Sequence, residues 1–339
     1  MKDRCWGMLW CRLALACIAS VARAQTGEFH ETAVDVGTAT LHKHVVYDSS
    51  DPSALVLNAF VPKSDKPSPV FIQIKSGGWH SKPVRIPDGA ERAAVERFAP
   101  YFEAGFSVVL VSHRTIARED VRWPDPMNDV TRAVQFLRHR AKEWNIDPNR
   151  ISISGRSSGS HIAEMVAYTP DRADPDSDDA VSRQSSRITC VIAYAGTANL
   201  AHHFKMCLET GPEGKPAATP AYMAKKLDEL FGLGPEHVGT AEMDAHFLKM
   251  SPTSHLHKDC PPTLLVHTGP ADAKSKDDPR LVWDIHTPIN GFLLAKKFAA
   301  LGVPHELVLK SRDDPDRIPR EIAFLKKHNG IESSIPKYH

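Results

Sequence analysis

The chain has 339 residues, 42% hydrophobic and 24% charged, and a formal net charge of +1. That length supports one large core, or one domain with a sizeable insertion, and the composition excludes collagen, coiled coil and intrinsic disorder. No basic patch argues for nucleic acid, and no apolar stretch is long enough to cross a bilayer comfortably.

In chain order, residues 1–24 come first and read as a secretory signal peptide. Lys2 and Arg4 give a positive start, residues 13–21 form a short apolar run, and Ala22-Arg23-Ala24 is a small-x-small cleavage site before Gln25. This predicts a secreted or periplasmic protein; a disordered tail or an N-terminal anchor is the alternative. The leader holds Lys2, Arg4, Arg12 and Arg23 against Asp3, so its removal takes the charge from +1 to −2. Cys5, Cys11 and Cys17 leave with it, and Cys190, Cys207 and Cys260 allow at most one intramolecular disulfide.

Residues 41–47 and 55–61 predict an antiparallel strand pair, and 70–75 a strand that runs into Ser76-Gly77-Gly78. Residues 90–104 form an amphipathic helix and 106–112 a valine-rich buried strand. Val130, Ala133, Val134 and Leu137 recur at helical spacing within 129–144. A strand over 151–154, a helix over 161–167 and strands over 188–194 and 263–267 follow. A helix over 291–301, a strand over 305–310 and a helix over 320–328 close the series. This alternation predicts one α/β domain over 25–339, a mostly parallel twisted sheet with helices on both faces and ligands at the carboxyl ends of the strands. Residues 199–262 interrupt the alternation and are expected to fold as a helical cap.

Gly155-Arg156-Ser157-Ser158-Gly159 lies between the apolar strand and the helix from His161. Strand, tight turn and helix are the context a nucleophilic serine needs in a Gly-x-Ser-x-Gly elbow. The following helix offers its N-terminal amides to developing negative charge. Upstream, the strand before Lys75 ends in Ser76-Gly77-Gly78-Trp79. This turn resembles the His-Gly-Gly-Gly-Trp loop of the esterase/lipase branch of the α/β-hydrolase family, with Lys75 at the histidine and Ser76 at the first glycine. The resemblance extends through residues 108–114, 123–130, 262–267 and 302–307, and is greatest to secreted feruloyl- and acetyl-esterase-like hydrolases.

The resemblance implies an α/β-hydrolase fold and an oxyanion hole built from amides near Gly77, Gly78 and Ser158. It also implies a triad in the chain order serine, acid, histidine. Asp272, in Gly269-Pro270-Ala271-Asp272, is at the acid's position; Asp277 and Asp278 are rivals in the same loop. The family's histidine follows the last strand, yet residues 311–318 contain none. His286 in the enlarged acid loop is the candidate, because that loop can reach the serine. His305 opens the last strand, His328 lies in the closing helix and His339 ends the chain. His80, His202 and His203 are further polar residues that face the pocket or the surface. The expected function is hydrolysis of carboxylic esters, on polysaccharides or small molecules, through an acyl-serine. The alternative is a non-catalytic scaffold that has lost its histidine and binds a ligand or partner. No cofactor is expected: nucleotide-binding glycine patterns are absent, and His42, His44, His202, His203, His255 and His257 lack companions at ligand spacing for zinc.

Overall fold

The computed structural model describes residues 31–209, 214–281, 284–311 and 314–331. The expected leader and His339 lie outside the described residues. The first strands, β1 (Thr32–Asp35), β2 (Ala39–Val46) and β3 (Val56–Pro62), pair antiparallel in sequence order. Along β2 every second residue is buried, but a bulge between His42 and Val45 shifts the register, so Leu41 packs into one apolar layer and Val45 into the other. β1 was not expected from the sequence, because its four residues are mostly exposed and show no apolar alternation.

β4 (Ser68–Ile74), α1 (Glu91–Glu103), β5 (Ser107–Val111), α2 (Asp125–His139), α3 (Ala141–Trp144) and β6 (Ile146–Arg156) follow. Then come α4 (Ser158–Tyr168), β7 (Val191–Tyr194), β8 (Thr263–Thr268), α8 (Ile289–Leu301), β9 (His305–Lys310) and α9 (Arg317–His328). Between β7 and β8 lie α5 (Leu200–Leu208), α6 (Pro220–Phe231) and α7 (Ala241–Lys249), which fill the segment expected as a cap. The sheet order is β1-β2-β3-β5-β4-β6-β7-β8-β9, and every pair from β5 to β9 is parallel. This is the α/β-hydrolase architecture.

The helix expected over 129–144 begins earlier and is broken. Pro126 lies in its first turn, where a missing N–H costs nothing, and Arg140 near φ −85°, ψ 1° separates α2 from α3. Two apolar layers cover the sheet. On one face α2, α4 and α8 pack on Val109, Ile72, Ile153 and Leu265; on the other α1 and α9 pack on Phe60, Phe71, Val108 and Val266. Burial on both faces explains why the central strands read as unbroken apolar runs.

The second layer contains one demanding polar group. Glu321 of α9 is 1% exposed, and accepts hydrogen bonds from Tyr194 (2.6 Å), Arg317 (2.9 Å) and Tyr101. These partners replace the water it loses. None of the described helices is long and apolar enough to cross a membrane. Cys190, Cys207 and Cys260 are buried and free.

Phe71 is wholly buried in β4, with its ring 5.3 Å from that of Tyr101. Phe71→Ala removes that filling from a close-packed layer and is expected to cost about 3–5 kcal/mol. Urea denaturation followed by circular dichroism measures the loss.

Candidate active site

β6 ends at Arg156 and α4 begins at Ser158, so the whole reversal falls on Ser157, at φ 53° and ψ −122°. A side chain in that region of backbone space is strained, by an amount on the order of 1–3 kcal/mol. The surrounding bonds hold it there: the Ser157 N–H donates to the Tyr194 carbonyl at 2.8 Å, and its carbonyl accepts from the His161 N–H at 2.9 Å. Both motif glycines are demanded by contact. A Cβ on Gly155 would lie 2.2 Å from the Gly159 carbonyl, and one on Gly159 would lie 2.7 Å from the Ile74 oxygen and 2.9 Å from the Lys75 oxygen.

That last approach brings the end of β4 against the elbow. Gly77, Gly78 and Trp79 continue from it with φ of 138°, 62° and 65°. The turn is pinned by the His80 N–H on the Gly77 carbonyl (3.0 Å) and by the Ser81 hydroxyl on the Ser76 carbonyl (2.7 Å). Gly77, Gly78 and Ser158 line one cleft with Ser157, and among the described residues their N–H groups have no protein partner. For Ser158 the reason is its place at the first position of α4, where no preceding turn exists to accept.

His286 enters from the loop between β8 and α8. Its Nε2 is 2.9 Å from the Ser157 hydroxyl oxygen. The loop is shaped by Asp284, whose carboxylate accepts from the His286 backbone N–H at 2.7 Å. The structure thus brings Ser157, His286, Gly77, Gly78 and Ser158 to one cleft of about 300 Å³. It does not bring Asp272. That side chain is 73% exposed and binds Arg280 at 3.1 Å, with no hydrogen bond or ion pair to His286. The physical reason is local: Arg280, in the same loop, supplies a counter-charge at the surface. Asp278 binds Arg280 at 2.7 Å and Asp277 pairs with Lys276, so neither rival reaches the cleft.

The remaining histidines are accounted for individually. His80 pairs with Glu229 of α6 at 3.0 Å. His161 packs on Trp79 and Trp123, with Nε2 2.6 Å from the Met250 carbonyl. His203 lines the cleft; its Nδ1 accepts from the Asn290 amide at 3.1 Å. His202, beside it, uses its backbone N–H to cap α5 on Asn199. His305 stacks on Phe298 and His328 packs at a tilt on Phe324, and neither lines the cleft. No group of three metal-ligating side chains occurs among the described residues.

Sequence reasoning missed Asn290 and Asp284. It also missed the apolar wall formed by Leu200, Phe204, Tyr222 and Ile285. The Asp284 signal was present, since a carboxylate two residues before a histidine commonly turns a loop onto its own backbone. Behind the elbow, Glu164 is fully buried, and neither of its oxygens is hydrogen-bonded among the described residues. Gly196 makes room for it, since a Cβ there would lie 2.8 Å from Glu164 Oε2.

A family model described as BD-FAE matches residues 57–275, from β3 through the elbow to the acid loop. The chain belongs to the BD-FAE family. The match stops before His286, so this BD-FAE chain has its serine and glycine turn inside the shared region and its histidine beyond it. The probable carboxylic ester hydrolase LipM of Mycobacterium tuberculosis is 26% identical over 200 residues, which are 59% of this chain. The chain spans 40% of LipM's length over that match. Among solved structures, a truncated carbohydrate esterase from gut microbiota shares the fold at TM-score 0.62 and 20% identity, covering 90% of this chain and 100% of that one. An acetyl ester-xyloside bifunctional hydrolase from Caldicellulosiruptor lactoaceticus does so at TM-score 0.53 and 21% identity, covering 91% and 96%.

Burial makes the site's surroundings sensitive to acid. His161, His203 and His267 lose their water, and each has its pKa pushed down to about 4 from 6.5. Their stabilising contribution is present above pH 6.5 and is lost as pH falls towards 4, because only the unfolded chain takes up those protons in that window. It amounts to at most about 3 kcal/mol each. Burial shifts Glu164 the opposite way, well above its usual range, so it destabilises progressively as pH rises above 4.5. Glu164→Gln is therefore expected to raise the melting temperature at pH 8 and to lose that advantage near pH 4. Thermal melts across pH 4–8 check the sign.

Proposed function

We propose that this protein is a serine hydrolase of carboxylic esters, working through an acyl-serine. The reading rests on the 2.9 Å approach of His286 Nε2 to the Ser157 hydroxyl. A hydroxyl is a weak nucleophile until a base within hydrogen-bond reach takes its proton.

As the Ser157 oxygen bonds to the ester carbonyl carbon, its proton passes to His286 Nε2. The carbonyl π pair moves onto oxygen, where the N–H groups of Gly77, Gly78 and Ser158, unpartnered among the described residues, are available to stabilise it. When that pair returns, the ester C–O bond breaks and the departing alcohol takes the proton from His286. Water then repeats the sequence on the acyl-serine, releasing the acid and restoring the hydroxyl. LipM and the carbohydrate esterase carry the same class of activity in their names, which supports the reading. Acetyl groups on polysaccharides or small acyl esters suit a cleft of this size.

A non-catalytic scaffold is the second reading. It is favoured by Asp272, which faces solvent instead of orienting the histidine. A fluorophosphonate probe separates the two. Stoichiometric labelling, lost in Ser157→Ala, is expected, and His286→Ala is expected to lower ester turnover by about 10³-fold or more. Asp272→Asn is expected to change turnover by less than about tenfold, since its carboxylate touches neither reacting residue. Absence of labelling overturns the hydrolase reading, and full ester turnover in His286→Ala removes His286 as its base.

Export is proposed from the leader composition. N-terminal sequencing of the protein produced in its native host is expected to begin at Gln25. A sequence that begins at the initiator methionine in the mature protein contradicts export by this leader.

A further inference from the structure

We propose that Arg156 and Lys310 form a carboxylate-binding subsite beside the Ser157 hydroxyl, so that the preferred substrates are esters bearing a negative charge. This deepens the ester-hydrolase reading and rests on it. Arg156 is the last residue of β6, and its exposed side chain lines both the Ser157 cleft and a second cavity of about 160 Å³. That cavity lies at the carboxyl edge of the sheet, on the α9 side. Lys310, the last residue of β9, lines it too.

The charges around these two cavities do not balance. Among the described lining residues of the Ser157 cleft there is no carboxylate, and Arg156 is the one residue of permanent charge. Among its described lining residues the second cavity has two acids, and both are committed. Asp314 accepts from Arg320 at 2.6 Å, and Glu321 accepts from Arg317 at 2.9 Å and from Tyr194 at 2.6 Å. The side chains of Arg156 and Lys310 make no hydrogen bond or ion pair with any described residue. Lys310 acts on Asp314 from a distance, adding to the larger effect of the Arg320 hydrogen bond in holding that carboxyl below its usual range. Two unspent cations therefore line one cavity, which adjoins the Ser157 cleft at Arg156.

A guanidinium fork matches a carboxylate in two parallel hydrogen bonds, and a lysine adds a point charge. A singly charged ligand suits this place better than a doubly charged one, because Asp314 and Glu321 line the same cavity. The carboxylate thus belongs to the substrate, on either the acyl or the alcohol side of the ester, with the scissile carbonyl in the neighbouring cleft.

The test compares kcat/KM within two matched pairs. 4-Nitrophenyl acetate and hemisuccinate place the charge on the acyl side; acetylated glucose and acetylated glucuronate place it on the alcohol side. At low ionic strength the charged member of at least one pair is expected to be preferred by about tenfold or more, with the preference shrinking in about 0.5 M salt. The ratio within the pair is expected to fall towards one in Arg156→Gln and in Lys310→Met, and as a ratio it cancels any loss of folded enzyme. Calorimetry with glucuronate, which needs no turnover, is expected to show binding that Arg156→Gln abolishes. Ratios near one in both pairs without glucuronate binding, or a preference unchanged in both variants, overturn the subsite. Neutral esters turning over in that case leave the hydrolase reading standing. Binding dependent on Arg156 with no ester hydrolysed retains the subsite and rejects the hydrolase.

Discussion

The approach of Gly159 to the end of β4 is the contact on which the site depends. With no Cβ between them, the first turn of α4 rests on the Ile74 and Lys75 carbonyls. The approach sets three things together. It bends the chain at Ser157 into its strained conformation, aims the first amides of α4 across the cleft, and places Ser76, Gly77 and Gly78 opposite them. The strain at Ser157 persists because parallel strands on both sides of β6 and two backbone hydrogen bonds over-determine it.

The polar groups behind the elbow are costly in stability terms. Glu164, Ser160 and Thr197 have buried oxygen atoms without partners among the described residues, and the His267 ring is buried against Gly291. Desolvation pushes this layer towards neutrality, favouring the protonated Glu164 carboxyl and the unprotonated His203 and His267 imidazoles. Among the described residues lining the Ser157 cleft, Arg156 is the one with a permanent charge. The segment between β7 and β8 is anchored to the glycine turn electrostatically. Lys226 and His80 both bind Glu229, at 2.7 and 3.0 Å, and the Lys226 ammonium comes close to Gly78.

The histidine follows a different logic from the serine. In the arrangement the sequence resembles, the base follows the last strand; here Asp314 of that loop pairs with Arg320 of α9, and Arg317 pairs with Glu321 within α9. The histidine that meets Ser157, proposed as the base, comes from the loop expected to supply the acid, and the expected acid, Asp272, is turned outward by Arg280. The loop from β8 to α8 is long enough to carry His286 over the carboxyl edge of β7 to the elbow.

The sequence by itself determined what short-range physics controls. Alternation of apolar runs with helical spacing specified the parallel sheet and its two layers, and glycines flanking Ser157 between a strand and a helix specified the elbow. Those signals are local, since a turn without room for a Cβ demands glycine wherever it occurs. The single helix expected over 129–144 failed for the same local reason, because its break at Arg140 involves neither glycine nor proline. Only the tertiary structure decided which histidine meets the serine and where Asp272 points. Each depends on loops from distant strands crossing the sheet's edge, and on whether a nearby arginine captures a carboxylate first. The first choice turns on an ångström-scale distance between residues 129 positions apart and the second on which way a loop turns an ion pair eight positions apart, and spacing along the chain encodes neither.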